Sequence, residues 1–179
     1  MTMEQLEQCV DLYGSDIYSF CRHLTQNAAE GEDLYQETFL KAVELVAKMD
    51  MQQNPKSYLI SISIRLWRNQ RRKLDWVKSH TENQSMEALS ENGQELCSAD
   101  HSPEEQYIDC ELQALVTRCV DALPAHYRIP VSMYYSADLS IKEISAVLKL
   151  PQGTVKRRLH HARTLLKKQL EEAGYASHE

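Results

Sequence analysis

Glycine and aromatic side chains are scarce in this chain. Five of its 179 residues are Gly, and Trp, Tyr and Phe together make up 7% of it. Glycine-rich turns are typical of β-sandwiches and of phosphate-binding loops, so their scarcity argues against both. The sequence also contains no paired nucleophile and base. We therefore expect a helical protein that is not an enzyme and that uses no cofactor.

The cysteines do not form the pairs that a disulfide framework or a structural zinc site requires. There are five, Cys9, Cys21, Cys97, Cys110 and Cys119, and no two are spaced as C-x-x-C. An odd number without such a pair is typical of reduced thiols in helix faces. The chain also lacks a charged-then-apolar N-terminal signal and the roughly 18 apolar residues that a membrane span needs. These absences predict a soluble, cytoplasmic protein.

Two clusters of metal-ligating residue types lack the spacing of a metal site. Asp33 and Glu37 lie four residues apart without a histidine at matching spacing, and two carboxylates alone are weak evidence for a metal. His160 and His161 are adjacent and point about 100° apart on a helix, so they cannot bind one ion together. We expect no metal, and we interpret the face of Asp33, Gln36 and Glu37 as a partner-docking or solvated surface.

The net charge of −6 hides an uneven distribution along the chain. Residues 1–77 carry eleven acids and nine bases, residues 78–106 seven acids and one base, and residues 107–179 eight acids and ten bases. The polar, acidic middle segment is typical of a linker. We predict two small helical domains, residues 1–77 and 103–179, joined by a flexible acidic linker of residues 78–102.

Capping patterns mark the starts of the predicted helices, because a polar N-cap satisfies free N–H groups of the first turn. Such starts occur at Thr2, Asn27, Asn54, Ser102 and Ser140, and Pro151 opens the last helix. One conflict arises in the third helix, where Ile60, Ile62 and Ile64 alternate with Ser as in a β-strand. The long basic segment that follows is unsuited to a strand, so we predict a helix there too.

The most informative segment is residues 140–163. A short amphipathic helix is followed by a tight turn and by a second helix that is crowded with cations. Between Ser140 and Lys168 there are eight Lys or Arg and one acid. This arrangement predicts a helix-turn-helix whose second helix lies in the major groove of DNA. Its candidate DNA-binding residues are Thr154, Lys156, Arg157, Arg158, His160, His161 and Arg163.

A second basic segment, in the third predicted helix, mixes cations with an indole and an amide. Cations follow a phosphate backbone, while aromatic faces stack on unpaired bases, so this mixture is suited to single-stranded DNA. Trp67 could equally belong to the hydrophobic core. The candidate binding residues are Arg65, Trp67, Arg68, Asn69, Arg71 and Arg72.

Three segments, in order, resemble conserved parts of a bacterial family, the extracytoplasmic-function sigma factors of RNA polymerase, which keep only regions two and four of the sigma-70 family. GEDLYQETFLKAV (31–43) is similar to their polymerase-docking helix, usually AEDLVQETFLRAW. NPKSYLISISIRLWRNQRRK (54–73) resembles their promoter-melting helix, and residues 122–163 resemble their region four. The three matches lie in the family's order between residues 31 and 163.

The resemblance implies a transcription initiation factor that binds core RNA polymerase, melts the −10 promoter element and reads the −35 element. Asp33, Gln36 and Glu37 fall where the family docks on the clamp helices of the polymerase β′ subunit. The candidates in the third helix fall where the family holds melted −10 DNA, and those in the last helix where it reads the −35 element. A loop at about 49–55 corresponds to the family's base-capturing loop.

The resemblance also implies a regulatory partner. The family commonly pairs with a membrane-tethered anti-sigma factor, which would hold the protein at the inner face of the membrane. The sequence departs from common family choices at four places: Ile64-Arg65 stands in place of Arg-Asn, Lys149 in the turn in place of Gly, Arg157 in place of Ser and His161 in place of Arg. The alternatives are a stand-alone helix-turn-helix regulator that binds duplex DNA without polymerase, and a helical adaptor that binds proteins.

The linker must span the distance between the two promoter elements. These lie about 17 base pairs apart, roughly 58 Å at about 3.4 Å per step. A linker of about 25 residues reaches roughly 80–90 Å when extended but averages only about 25–30 Å as a coil. We expect it to be stretched along the polymerase, where its acidity would mimic nucleic acid.

Overall fold

The computed structural model describes residues 2–46, 54–80 and 103–175, and the regular elements in them are α-helices. The described helices are α1 (Met3–Thr25), α2 (Ala28–Leu45), α3 (Pro55–His80), α4 (Pro103–Asp121), α5 (Ala125–Tyr135), α6 (Ile141–Leu148) and α7 (Gln152–Glu172). The all-α class predicted from the sequence is confirmed. Of these helices, none combines the length and the apolar character needed to cross a membrane.

The first three helices begin where the capping chemistry of the sequence predicts. Thr2 and Gln5 form a reciprocal capping box at the start of α1, and Asn27 accepts a hydrogen bond in the first turn of α2. Asn54 accepts one from the backbone N–H of Lys56 in α3 (3.0 Å). Each bond satisfies an N–H that the first turn leaves without a helical partner.

The segment in which isoleucines alternate with serines is helical, as predicted. Ile60, Ile62 and Ile64 are all buried, although an α-helix points them in different directions. They can all be buried because α3 contacts α1, α2 and α6, so that protein covers more than one side of it. Between them, Ser63 shares a hydrogen bond of 3.1 Å with Thr38 of α2, which satisfies two buried hydroxyls.

The helices form two lobes that touch each other. The N-terminal lobe consists of α1, α2 and α3, and the C-terminal lobe of α4, α5, α6 and α7. Between the lobes, α1 packs on α5 and α3 packs on α6. The Gln26 side chain donates a hydrogen bond to the backbone carbonyl of Asp121, and the Asn54 side chain donates one to the carboxylate of Glu143. The two lobes therefore lie side by side.

The boundary between the first lobe and the predicted linker differs slightly from the prediction. α3 continues to His80, so residues 78–80, which the charge pattern placed in the linker, are helical. No Gly or Pro occurs between Pro55 and Gly93 to end the helix earlier. Linker residues 81–102 and most of the loop at about 49–55 lie outside the described residues.

Candidate nucleic-acid interface

α6 and α7 form the predicted helix-turn-helix. Ser140 and Glu143 make a reciprocal capping box at the start of α6, with hydrogen bonds of 3.3 and 2.8 Å. α6 ends at Leu148 and is followed by its C-cap Lys149, whose φ of 55° is left-handed. The N–H of Leu150 then donates to the carbonyl of Ser145 (3.0 Å), which closes the helix end. The tight turn before α7 is thus built with Lys in a conformation that favours Gly.

α7 presents most of its predicted DNA-binding residues to solvent. Its buried stripe consists of Val155, Leu159 and Ala162. The exposed candidates are Lys156, Arg157, His160, His161 and Arg163, and the half-buried ones are Thr154 and Arg158. The five exposed side chains can reach the floor or the walls of a major groove, whereas Arg158 lines a cleft that faces the other lobe.

An aromatic pair on α5, which the sequence reasoning missed, lies beside the exposed face of α7. The rings of His126 and Tyr127 are 4.0 Å apart between centroids, and the ring of Tyr127 is 6.3 Å from that of His161. Tyr127 is therefore a neighbour of His161 on the C-terminal lobe. No spacing in the sequence indicates this contact, because 34 positions separate the two residues.

The candidate residues of α3 lie close together, but they are not equally accessible. The exposed ones are Arg65, Arg68, Arg71 and Arg72, and the half-buried ones are Trp67 and Asn69. The guanidinium carbon of Arg71 lies 5.5 Å from the centroid of the Trp67 ring, and Arg72 donates a hydrogen bond of 2.5 Å to Asn69. Trp67 also packs against the hydrophobic core. The arginines can follow a phosphate backbone, whereas Trp67 is shared between the core and Arg71.

A cleft of about 320 Å³ lies between part of α3 and the C-terminal lobe. Its lining residues are Trp67, Arg68, Ala125, His126, Ile129, Pro130, Leu148, Leu150 and Arg158. Candidate residues for the −10 and the −35 element thus border the same cleft, on opposite walls. In this arrangement Trp67 and Arg158 face the other lobe.

Arg128 is a buried cation at the base of the C-terminal lobe. It is 5% exposed, and its Nη1 donates to the backbone carbonyls of Asp121 (3.1 Å) and Leu123 (3.2 Å). Burial lowers the pKa of the guanidinium; the charge of Asp121 opposes this effect and that of Arg71, in the other lobe, adds to it. Arg128 therefore ties the end of α4 to α5.

Glu143 joins the helix-turn-helix to the N-terminal lobe. Burial acts to raise the pKa of this carboxyl, but hydrogen bonds from Ser140 and Asn54, together with the nearby hydroxyl of Ser57, lower it below its ordinary value. Asn54 and Ser57 lie at the start of α3. The carboxylate that caps α6 is therefore also a contact between the lobes.

The predicted docking face on α2 is solvent-exposed. Asp33, Gln36 and Glu37 are all exposed, and Leu40, one turn further on, is 67% exposed. Glu37 accepts a hydrogen bond of 2.8 Å from the side chain of Gln70 in α3. Leu40 was not predicted; its (i, i+4) and (i, i+3) spacing from Gln36 and Glu37 indicates that it belongs to the same face.

The thiols and acids of the described residues do not form a reactive or metal-binding centre. Within residues 2–46, 54–80 and 103–175, no three His, Cys, Asp or Glu side chains are placed to hold a metal ion. Cys9, Cys21 and Cys119 are buried free thiols. Burial raises the pKa of Cys21 to about 12, so at neutral pH this residue carries no nucleophilic thiolate.

Two family models match the chain, one for each lobe. The model of sigma-70 region 2 matches residues 9–77, and that of sigma-70 region 4 matches residues 113–166. The chain is 30% identical over 167 residues to the ECF RNA polymerase sigma factor SigW of Bacillus subtilis (strain 168), which covers 90% of this chain and 86% of the relative. It is 27% identical over 169 residues to SigM of the same organism, covering 93% and 94%.

Solved structures share the fold of the whole described chain. The sigma factor RpoE from Bartonella quintana, in complex with the anti-sigma factor NepR, matches with a TM-score of 0.76 at 22% identity, covering 94% of this chain and 98% of that one. CnrH, in complex with the cytosolic domain of CnrY, matches with a TM-score of 0.66 at 18% identity, covering 96% and 90%. The order of helices described above is therefore one that solved proteins adopt.

Proposed function

The chain belongs to the extracytoplasmic-function sigma factors of the sigma-70 family. From this membership we propose which part of the chain carries out each step of transcription initiation. It is an initiation factor that binds core RNA polymerase and directs it to promoters, while the polymerase carries out the chemistry. In this proposal residues 1–77 act as region two, residues 78–102 as the linker and residues 103–179 as region four.

The observation that carries the proposal is the separation of charge between helices. α2 exposes Asp33, Gln36 and Glu37, whereas the candidate faces of α3 and α7 expose mainly cations. An acidic and amide face is suited to a complementary protein surface, and cationic faces are suited to DNA phosphates. We therefore assign α2 to the clamp helices of the polymerase β′ subunit, α3 to the −10 element and α7 to the −35 element.

The exposure of each candidate side chain decides which part of the DNA we assign to it. On α3, Arg65, Arg68, Arg71 and Arg72 hold the phosphates of the melted −10 strand, supported by Trp67 and Asn69. On α7, Arg157, His160 and His161 contact base edges in the major groove, while Lys156 and Arg163 contact phosphates. The half-buried Thr154 and Arg158 lie at the edges of this interface.

The two lobes must separate before both promoter elements are bound. Trp67 and Arg68 border the same cleft as Arg158, whereas the −10 and −35 elements lie roughly 58 Å apart at about 3.4 Å per base pair. A single rigid arrangement of the lobes cannot keep these residues at one cleft and also place them on DNA elements that far apart. We infer that docking on polymerase replaces the contacts between the lobes with contacts to the enzyme.

A transcription assay tests this function. Purified protein is added to core polymerase and to a library of duplex DNA, and the transcripts are sequenced. A sigma factor yields transcripts that begin at a shared sequence. The alternative, a stand-alone helix-turn-helix regulator, would bind duplex DNA without polymerase and yield none, and that result would overturn the proposal.

We propose that an anti-sigma factor holds this protein inactive and that the anti-sigma factor is tethered to the membrane. Support comes from one structural neighbour, which is a sigma factor in complex with an anti-sigma factor. Cell fractionation before and after envelope stress tests the idea. The protein should move from the membrane fraction to the cytoplasmic fraction; an equal distribution under both conditions would contradict it.

A further inference from the structure

The candidate cations of α7 do not all point in the same direction. Lys156 and Arg163 are seven residues apart, which is about two turns of an α-helix, so they lie on the same flank. Arg158 is five residues from Arg163 and points roughly 140° away from it, at about 100° per residue. When the exposed face of such a helix enters a major groove, its flanks run beside the two phosphate walls.

Tyr135, the last residue of α5, lies against this flank. Its hydroxyl oxygen accepts a hydrogen bond of 2.9 Å from Nε of Arg163, and the guanidinium carbon lies 5.9 Å from the centroid of its ring. The side chain is 57% exposed, and its ring meets that of Tyr134 edge-on with centroids 5.0 Å apart. A residue outside the helix-turn-helix therefore contacts a cation on the helix that enters the groove.

The chemistry of this contact leaves Arg163 able to bind an anion. Its Nε is occupied by Tyr135, while the two terminal nitrogens have no partner among the described residues. No ion pair within the described part of the chain joins Arg163 to a carboxylate. A neutral hydroxyl orients the guanidinium without cancelling its charge, and a guanidinium fork matches the oxygens of a phosphate.

We propose that Tyr135 is a positioning residue that holds Arg163 on a DNA phosphate at the wall of the −35 major groove. The inference rests on the proposed binding of −35 DNA by α7 and extends it to a residue outside the helix-turn-helix. Free Arg side chains lose rotamer entropy when they bind. The bond from Tyr135 removes part of that loss before DNA arrives, so the phosphate contact forms more readily.

Binding of the holoenzyme to DNA over a range of salt concentrations tests the inference. The probe is the duplex that the wild-type holoenzyme selects from a random-sequence library. Arg163→Ala should lower affinity about tenfold and reduce the slope of log affinity against log salt by about 0.9, the value for one lost phosphate contact. Tyr135→Phe keeps the ring, removes the acceptor and should lower affinity about threefold, since it weakens one contact without removing the charge.

The double variant distinguishes positioning from a separate role. In the Arg163→Ala background, Tyr135→Phe should have no further effect, because the residue acts through Arg163. Tyr134→Phe removes a hydroxyl one position away that makes no hydrogen bond to Arg163, and it should leave affinity unchanged. A threefold loss in the Arg163→Ala background, or no loss in the wild-type background, would overturn the inference.

Two further variants separate failure of the inference from failure of the proposed function. Lys156→Ala and Arg157→Ala should also weaken binding to the selected duplex. If neither does, or if no duplex is selected, the assignment of α7 to the −35 element is wrong and the inference falls with it. If both weaken binding while the Tyr135 and Arg163 variants do not, only the inference is wrong.

Discussion

Replacement of the buried Arg128 by Met is expected to destabilise the C-terminal lobe. Its Nη1 donates to the carbonyls of Asp121 and Leu123, which lie at the end of α4 and in the turn after it. Carbonyls at a helix end have no following helical N–H to bind them. Methionine fills much of the same space with a flexible, apolar side chain, but it donates no hydrogen bond to either carbonyl.

Two opposing effects set the size of the change. A hydrogen bond from a charged donor contributes about 1.5–3 kcal/mol, so the loss of two costs about 3–6 kcal/mol. Removal of a buried charge offsets part of that loss, because burial disfavours the charged form of Arg128, and apolar replacement of buried ionic groups can return about 1–4 kcal/mol. We expect the lost hydrogen bonds to dominate, with a net loss of about 2 kcal/mol.

Urea unfolding followed by two probes measures this loss of stability and shows whether it occurs in the C-terminal lobe. Both tryptophans, Trp67 and Trp76, lie in α3, and Trp67 borders the cleft between the lobes. Their fluorescence therefore reports the N-terminal lobe and its contact with the C-terminal lobe, whereas circular dichroism reports the helices of both lobes. Arg128→Met should shift part of the dichroism transition to lower urea and leave the main fluorescence transition, the unfolding of α3, in place. Arg118→Met, an exposed position on α4, is the matched control. An unchanged or raised dichroism midpoint would show that desolvation dominates and would refute the reasoning.

Three further predictions concern the proposed interfaces. Glu37→Lys should weaken binding to core polymerase at least about tenfold, as a reversed charge in a complementary interface does, and should leave the unfolding midpoint unchanged; equal binding in a fluorescence titration would contradict this. Arg157→Ala should reduce discrimination between −35 sequences, whereas Lys156→Ala should weaken binding to all sequences evenly and lower the salt slope by about 0.9; the same profile for both variants would refute the assignment. Glu143→Ala should lengthen the distance between fluorophores on the two lobes of the free protein, because it removes the bond from Asn54. Acidification should do the same: hydrogen bonds hold the pKa of Glu143 below its ordinary 4.5, so its stabilisation is present above that pH and is lost as the pH falls through the lower folded pKa. A distance that stays constant in both experiments would argue against this contact.

The local features of the fold could be predicted because each depends on residues close together in the sequence. Thr2 with Gln5 and Ser140 with Glu143 form the capping boxes that their spacing predicts. The turn before α7 requires a left-handed residue, and Lys149 adopts that conformation where Gly is common in the family. The hydrogen bond from the N–H of Leu150 to the carbonyl of Ser145 holds Lys149 in this left-handed conformation.

The arrangement of the lobes could not be predicted, because its contacts join residues that are distant in sequence. Gln26 and Asp121 are 95 positions apart, and Asn54 and Glu143 are 89 apart. No periodicity encodes such a pair, since helical spacing identifies an apolar face but not the surface that covers it. Arg158 illustrates the consequence: its spacing places it among the DNA-contacting cations, whereas it borders the cleft between the lobes.

The same contacts explain how the lobes can touch in the free protein and still part on polymerase. The bonds from Gln26 to Asp121 and from Asn54 to Glu143 are both exposed, and His23 Nδ1 lies 3.5 Å from Asp121 Oδ1. Hydrogen bonds of this kind contribute about 0.5–1.5 kcal/mol each, so these polar contacts together resist separation by only a few kcal/mol. Nanomolar binding to polymerase would supply about 12 kcal/mol. Binding of that strength exceeds the contribution of these polar contacts severalfold. Under the proposed assignment, the basic face of α7 would become one of two DNA contacts only after α2 has docked.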